Sequence, residues 1–437
     1  MRKIVFNILA TVGLGFGAVS CDFDQYSPNS IPFDQGFKNL GSIQSLELGA
    51  YSRLRTAISP YSMTLPDLQA DYMHAVFGYA NIYGEVYQWT FKQDDSDIEA
   101  AWQDLYACIG QNNFILDGID EATAADDGRF SQSDLSELDL IKGRMYLMRA
   151  LCYSILAERF CADYDAATAS AENSGLPLIV KYDPDEKPSR ATLEKVYEQI
   201  DDDLTEARRY LANVKGSANA TTLNIDCVTA LEARVLLQTD HFPEALEKAN
   251  SLIGNTAYSL ITSQEELQEM WTYDKSPETI FQFYASKTEL AYAWGKYFYS
   301  DYYNGQQSNM RLMYPDYIPT TECVAKFEDG DWRRQVYFFD CSMNKPIDGV
   351  YYYPLIKGHS AYALSGLTIV SKYPGNPDLR TSSTWNYYNS FKVFRLAEMY
   401  LIAAEAAVQS NGDAATPLNE LRKWRGLTTP LENVTLE

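Results

Sequence analysis

Residues 229–253 read TALEARVLLQTDHFPEALEKANSLI, and this stretch decides the fold. Apolar side chains recur at three-and-four spacing through Leu237, break at Asp240-His241-Phe242, and resume from Pro243 to Ile253, with Gly254 immediately after. That pattern is two amphipathic helices joined by a tight turn. Ala230, Ala233, Ala245 and Ala249 keep the contact face small, so the two helices can approach closely. A unit of this kind cannot bury its apolar face alone and stacks on others like it, as tetratricopeptide pairs do. Residues 395–422, RLAEMYLIAAEAAVQSNGDAATPLNELR, repeat the arrangement with Ala397, Ala404 and Ala406 and a turn at Gly412-Asp413.

Working outward, the same spacing predicts helices over Leu40–Ile58, Ile98–Ile119, Leu135–Phe160, Thr192–Leu211, Cys227–Leu237, Pro243–Ile253, Phe391–Val408 and Thr416–Trp424. Ser189 with Thr192, and Asp413, supply capping oxygens, while Gly254 and Gly426 mark helix ends. Between Ser59 and Asp97, and again between Tyr273 and Ser390, the periodicity fades and aromatics, Gly, Pro and Asn accumulate. The fold class is therefore mainly α: tetratricopeptide-like helical pairs with long irregular inserted loops, which carry the binding face.

The chain has 437 residues with 59 acidic and 36 basic side chains, a formal charge of −23. A nucleic-acid partner needs the opposite sign, as does electrostatic attachment to anionic lipid. Hydrophobic content of 46% excludes a disordered chain. Tyrosine is abundant, 33 against 19 Phe, which suits surfaces that are half wet.

At the N-terminus Arg2 and Lys3 precede an apolar run from Ile4 to Phe16, too short to span a bilayer. Small residues then lead through Ala18, Val19 and Ser20 to Cys21, the pattern of a bacterial lipoprotein signal in which the Cys thiol takes the lipid. Residues 1–20 are read as signal peptide, 21–37 as a lipidated tether and 38–437 as a single domain. Acyl chains at about 0.8 kcal/mol per buried CH₂ hold such a domain at the membrane. Among the other cysteines, Cys152 and Cys161 lie about 13 Å apart along one helix, beyond disulfide reach. Cys323 and Cys341 lie in less regular sequence and leave a pairing open.

Several segments, in order, carry a family resemblance. They are WQDLYACIGQN (102–112), KGRMYLMRA (142–150), PSRATLEKVYEQI (188–200), the Ala233–Ala249 pair, and FRLAEMYLIAAEA (394–406) followed by LNELR (418–422). Together with the lipoprotein signal, they resemble the SusD/RagB outer-membrane lipoproteins of Bacteroidetes. The resemblance implies an α-helical domain that packs as a lid on a SusC-like TonB-dependent transporter. It also implies nutrient capture at the cell surface, of glycans or, in some members, peptides. Family members continue past the region of Leu418–Gly426 with another Glu/Arg-rich segment, so an end at Glu437 is expected to fall short of theirs.

The residues themselves support binding without chemistry. His74, His241 and His359 are scattered, and H-E-x-x-H, C-x-x-C, the P-loop signature and G-x-S-x-G are all absent. No cofactor is expected and no metal site is placed; bound divalent cations without a D-x-[DN]-x-[DN]-G loop stay open, as does a carboxylate pair meeting in space as a glycosidase dyad, as in a helical-toroid glycan hydrolase or lyase. Sugars present C–H faces and hydroxyl rims, which call for flat aromatic platforms flanked by polar side chains. The first irregular stretch offers Tyr72, Tyr79, Asn81, Tyr83, Tyr87, Gln88 and Trp89; the second offers Tyr292, Trp294, Tyr297, Phe298, Tyr299, Asp301, Tyr302, Tyr303 and Asn304. Trp89, Trp294, Tyr79, Asn81, Tyr83, Tyr297 and Asp301 are the expected ligand residues, with the two indoles the broadest platforms. Arg53, Arg149 and Arg395 are assigned to helix packing and ion pairs. The excess of acid repels polyanionic chains, which favours a neutral glycan.

Overall fold

The computed structural model describes residues 36–58, 61–75, 84–125, 127–289, 310–313, 315, 317–341, 351–354, 367–379 and 388–435; for residues 61–63, 84, 310–313, 341, 351–354 and 367 it describes the backbone alone. The helical frame consists of α1 (Leu40–Ile58), α2 (Tyr61–Gln69), α3 (Gly84–Tyr87), α4 (Ser96–Ala124), α5 (Gln132–Phe160), α6 (Leu193–Leu211), α7 (Ile225–Gln238), α8 (Phe242–Ile253) and α9 (Gln264–Thr272), and, after the second irregular stretch, α12 (Leu396–Gln409) and α13 (Ala415–Lys423). Within that stretch lie two short helices, α10 (Thr321–Ala325) and α11 (Trp332–Tyr337).

Each long helix packs on its neighbour in sequence: α4 on α5, α5 on α6, α7 on α8 and α12 on α13, with α8 also against α12 and α1 against α4. The alanines of the two hairpins sit at these contacts. Ala230, Ala233, Ala245, Ala249 and Ala406 are fully buried, and Ala397 and Ala404 nearly so. Helix α5 is the centre of the frame. Ser131 and Asp134 close its start as a capping box. At Gly143 a Cβ would come within 2.7 Å of the Tyr210 Cβ, so glycine is what lets α5 lie close on α6.

The start and stop signals act as expected at most helix ends. Thr192 Oγ1 accepts from the Lys195 N–H, and Asp413 Oδ1 accepts from Ala415 and Thr416. Gly426 follows α13 with φ at +90°, where a Cβ would lie 2.3 Å from the Gly330 carbonyl. Two expectations need correction. The helix placed from Phe391 begins at Leu396, because Lys392–Arg395 forms strand β8; its Phe394 lies opposite Phe281 of strand β2 (Thr279–Gln282), a partner far away in sequence. Cys323 is a free thiol, so the pairing left open with Cys341 is not made.

Besides a 3-10 turn at Pro377–Leu379, six further strands are present: β1 (Met73–Ala75), β3 (Met310–Met313), β4 (Tyr317–Pro319), β5 (Phe338–Cys341), β6 (Tyr351–Pro354) and β7 (Leu367–Val370). Among the described residues they form two-stranded sheets only: β1 with β4, β2 with β8 and β5 with β7 antiparallel, β3 with β6 parallel. Apolar residues divide accordingly. One large cluster fills the helical frame; a second gathers Leu65, Leu68, Val86, Tyr317, Phe338 and Ile369, and a third gathers Ile261, Leu267, Met270, Trp271, Val336 and Tyr373.

Candidate functional site

Helix α3 is one turn long, and the way it stops decides where its aromatic residues go. The Thr90 N–H donates to the Glu85 carbonyl at 2.9 Å and the Trp89 N–H to the Val86 carbonyl at 3.2 Å. These are the two bonds of a Schellman helix end, in which the residue after the cap adopts the left-handed conformation, usually as glycine. Here that residue is Trp89, with φ at +55°. Val86 is wholly buried beneath it, whereas Trp89 is 61% exposed and touches the Phe91 ring with centroids 6.0 Å apart. Tyr87 lies against His74 of β1, centroids 6.1 Å apart, and Tyr72, just before β1, is 44% exposed.

Eight non-glycine residues among those described have positive φ, and six of them are Asn or Asp, which tolerate it. The other two are Trp89 and Tyr373. A left-handed aromatic costs about 1–2 kcal/mol, and such costs gather at functional sites.

Tyr373 belongs to a cavity of about 530 Å³ lined by members of both smaller apolar clusters. Its aromatic wall includes Tyr72, Trp271, Phe327, Tyr337, Tyr373 and Phe391. Trp271 meets Tyr373 and Tyr337 edge-on, with centroids at 4.9 and 5.6 Å. Three cations surround its indole: Lys372 Nζ at 4.5 Å from the ring centroid, Arg395 Cζ at 5.3 Å and Lys392 Nζ at 5.5 Å. Lys392 is neutralised, donating to Asp274 Oδ1 at 2.8 Å and to the Ser390 carbonyl at 2.9 Å. Arg333 is likewise held by Asp331, at 2.6 Å. Burial depresses the Lys372 ammonium below its ordinary value, with Arg395 adding to the effect and Tyr337 and Asp67 opposing it.

Of the expected ligand residues, Trp89 alone lies among those described. Tyr79, Asn81, Tyr83, Trp294, Tyr297 and Asp301 lie outside the described residues, as does the lipid acceptor Cys21. Arg149 meets its assignment, with a bidentate pair to Asp203 at 2.6 and 2.8 Å inside the frame. Arg53 bonds Gln111 at 3.2 Å. Arg395 does not follow its assignment: among the described residues no carboxylate lies within ion-pair distance of it, and it lines the cavity. Trp271, Lys372 and Tyr373 were not singled out by sequence; the one signal available was the aromatic and basic pair Lys372-Tyr373 ahead of Pro374-Gly375.

A helical-repeat frame carrying an exposed aromatic surface on its insertions is the architecture of a binding protein. Residues 47–237 match the family described as SusD-like, starch-binding associating with outer membrane, and residues 268–429 match the SusD family. The chain belongs to the SusD/RagB family. Among solved structures it is similar to a SusD superfamily protein of Bacteroides thetaiotaomicron, at 24% identity and TM-score 0.70 over 89% of this chain and 81% of that one. It is similar to a putative sugar binding protein of Bacteroides vulgatus, at 23% identity and TM-score 0.69 over 92% and 81%. A third is surface glycan-binding protein A of Bacteroides thetaiotaomicron in complex with laminarihexaose, at 17% identity and TM-score 0.67 over 90% and 84%. These likenesses are of fold. The search of curated proteins gave no match.

Proposed function

We propose that the protein is a non-catalytic glycan-binding lipoprotein of the outer membrane surface. It captures oligosaccharide and passes it to a SusC-like TonB-dependent transporter. The observation that carries this reading is Trp89: a large apolar ring kept 61% exposed, at a backbone position that glycine would fill at lower cost. A packing residue does not need that conformation, whereas a sugar platform does need an exposed flat face. The laminarihexaose complex of a neighbour with the same fold supports glycan as the ligand class. The lipid anchor rests on Cys21 and its preceding leader.

The test is affinity electrophoresis through gels containing neutral polysaccharides, wild type against Trp89→Ala. Wild type is retarded by at least one neutral glycan and the variant migrates as in an empty gel. Equal retardation of the two proteins would remove Trp89 from the site and this reading with it.

A further inference from the structure

The cavity behind Tyr72 has a charge opposite to that of the whole chain. Among its described lining side chains five are cationic (Lys326, Arg333, Lys372, Lys392 and Arg395) and one, Asp67, is anionic. Asp274 and Asp331, just off the lining, account for Lys392 and Arg333. Lys372 and Arg395 have no carboxylate in ion-pair distance among the described residues, and share the Trp271 indole as their neighbour. Trp271 is 2% exposed, and its buried Nε1–H has no acceptor among the described residues. A buried donor without a partner costs about 1–3 kcal/mol. Tyr373 of this wall is left-handed, as is Asp274, which accepts from the lining Lys392. Unneutralised cations, an orphan donor and backbone strain are separate costs paid in one place.

We propose that this cavity takes the carboxylate of a hexuronate unit, with Lys372 and Arg395 as its charge partners and the indole N–H of Trp271 as a further donor. The proposal rests on the glycan reading above and adds to it a subsite for a chain that carries an acidic sugar unit. The partly exposed rings of Phe327, Tyr337 and Phe391, with Tyr72, offer faces for the C–H side of a pyranose. A volume of about 530 Å³ suits one or two such rings. The net charge of −23 does not prevent this, because exposed charges are screened within roughly 8 Å at physiological salt, whereas charges in a cavity wall are screened much less. The acid excess then limits the preference: a single carboxylate is drawn in, while a polyanion is repelled by the rest of the surface.

The experiment is calorimetric titration of the protein with a neutral oligosaccharide bearing one glucuronate unit, aldotriouronic acid, and with its methyl ester, repeated on Lys372→Met. A tripeptide with a free C-terminal carboxylate is titrated alongside. The acid binds wild type at least tenfold more tightly than the ester, and Lys372→Met loses that preference while melting at least as high as wild type at pH 7. Equal affinity for acid and ester overturns the proposal without any variant. So does an acid preference that survives in Lys372→Met, or tighter binding of the tripeptide than of the uronate. Failure of the broader glycan reading is read separately, as the absence of Trp89-dependent retardation by neutral glycans.

Discussion

Thr90 closes helix α3 by donating its backbone N–H to the Glu85 carbonyl at 2.9 Å, and this bond fixes Trp89, between them, in the left-handed conformation with its ring turned out of the apolar cluster. The helix end would form as well with glycine. The indole is therefore retained for something other than the turn.

That separation of binding from stability is measurable. Trp89→Gly removes a backbone cost of about 1–2 kcal/mol in the folded state and adds about 0.5–1 kcal/mol of freedom to the unfolded chain. Urea denaturation should place the variant within about 1 kcal/mol of wild type, although it no longer binds glycan. A loss beyond about 2 kcal/mol would mean that the ring is structural packing.

Arg149 makes the opposite case. Its guanidinium grips Asp203 with two buried bonds, at 2.6 and 2.8 Å, and reaches Asn113 Oδ1 at 2.8 Å in the interior and the Val180 carbonyl at 3.0 Å nearer the surface. Asp203→Ala strands a buried cation, and the expected loss is about 3–5 kcal/mol. The double change Arg149→Met with Asp203→Leu should restore most of it. If the double variant is no better than the single one, the bonds to Asn113 and Val180 are what hold α5 to its neighbours.

Lys372 gives a pH dependence. Burial holds its pKa below the ordinary value of 10.5, so the folded state favours the neutral amine. Below the folded pKa both states are protonated and the buried charge costs its full amount. As pH rises from the folded pKa toward 10.5 the folded protein has already lost its proton and the cost disappears. Lys372→Met should therefore melt at least as high as wild type at pH 7, with the difference narrowing as pH approaches 10. A variant that melts lower at neutral pH would show that the ring contacts of the ammonium outweigh its burial, and that it is kept for stability.

Much of the frame is legible in the sequence, because helix burial repeats every three or four residues and the alanines of residues 229–253 and 395–422 mark the close contacts directly. Leu40–Ile58 is recovered residue for residue. Strand β8 is not, since Lys-Val-Phe-Arg becomes a strand through Thr279–Gln282, more than 100 positions away. Helix α9 was missed because its nine residues bury only Leu267, Met270 and Trp271. The exposed Trp89 could be anticipated from its aromatic, polar surroundings. The cavity could not: Asp67, Trp271, Lys372 and Arg395 come from separate elements, and only tertiary structure brings their charges and rings together. Arg395 reads as an ion-pairing helix residue until its strand and its neighbours are known.

In the proposed function an exposed ring on a rigid helical frame holds a glycan without altering it. The most direct measurement is recovery of a bound neutral oligosaccharide from a Trp89-dependent complex after prolonged incubation, with its mass determined. The expected result is the full input chain length with no new reducing ends. Shortened chains, or equal recovery from Trp89→Gly, would contradict it.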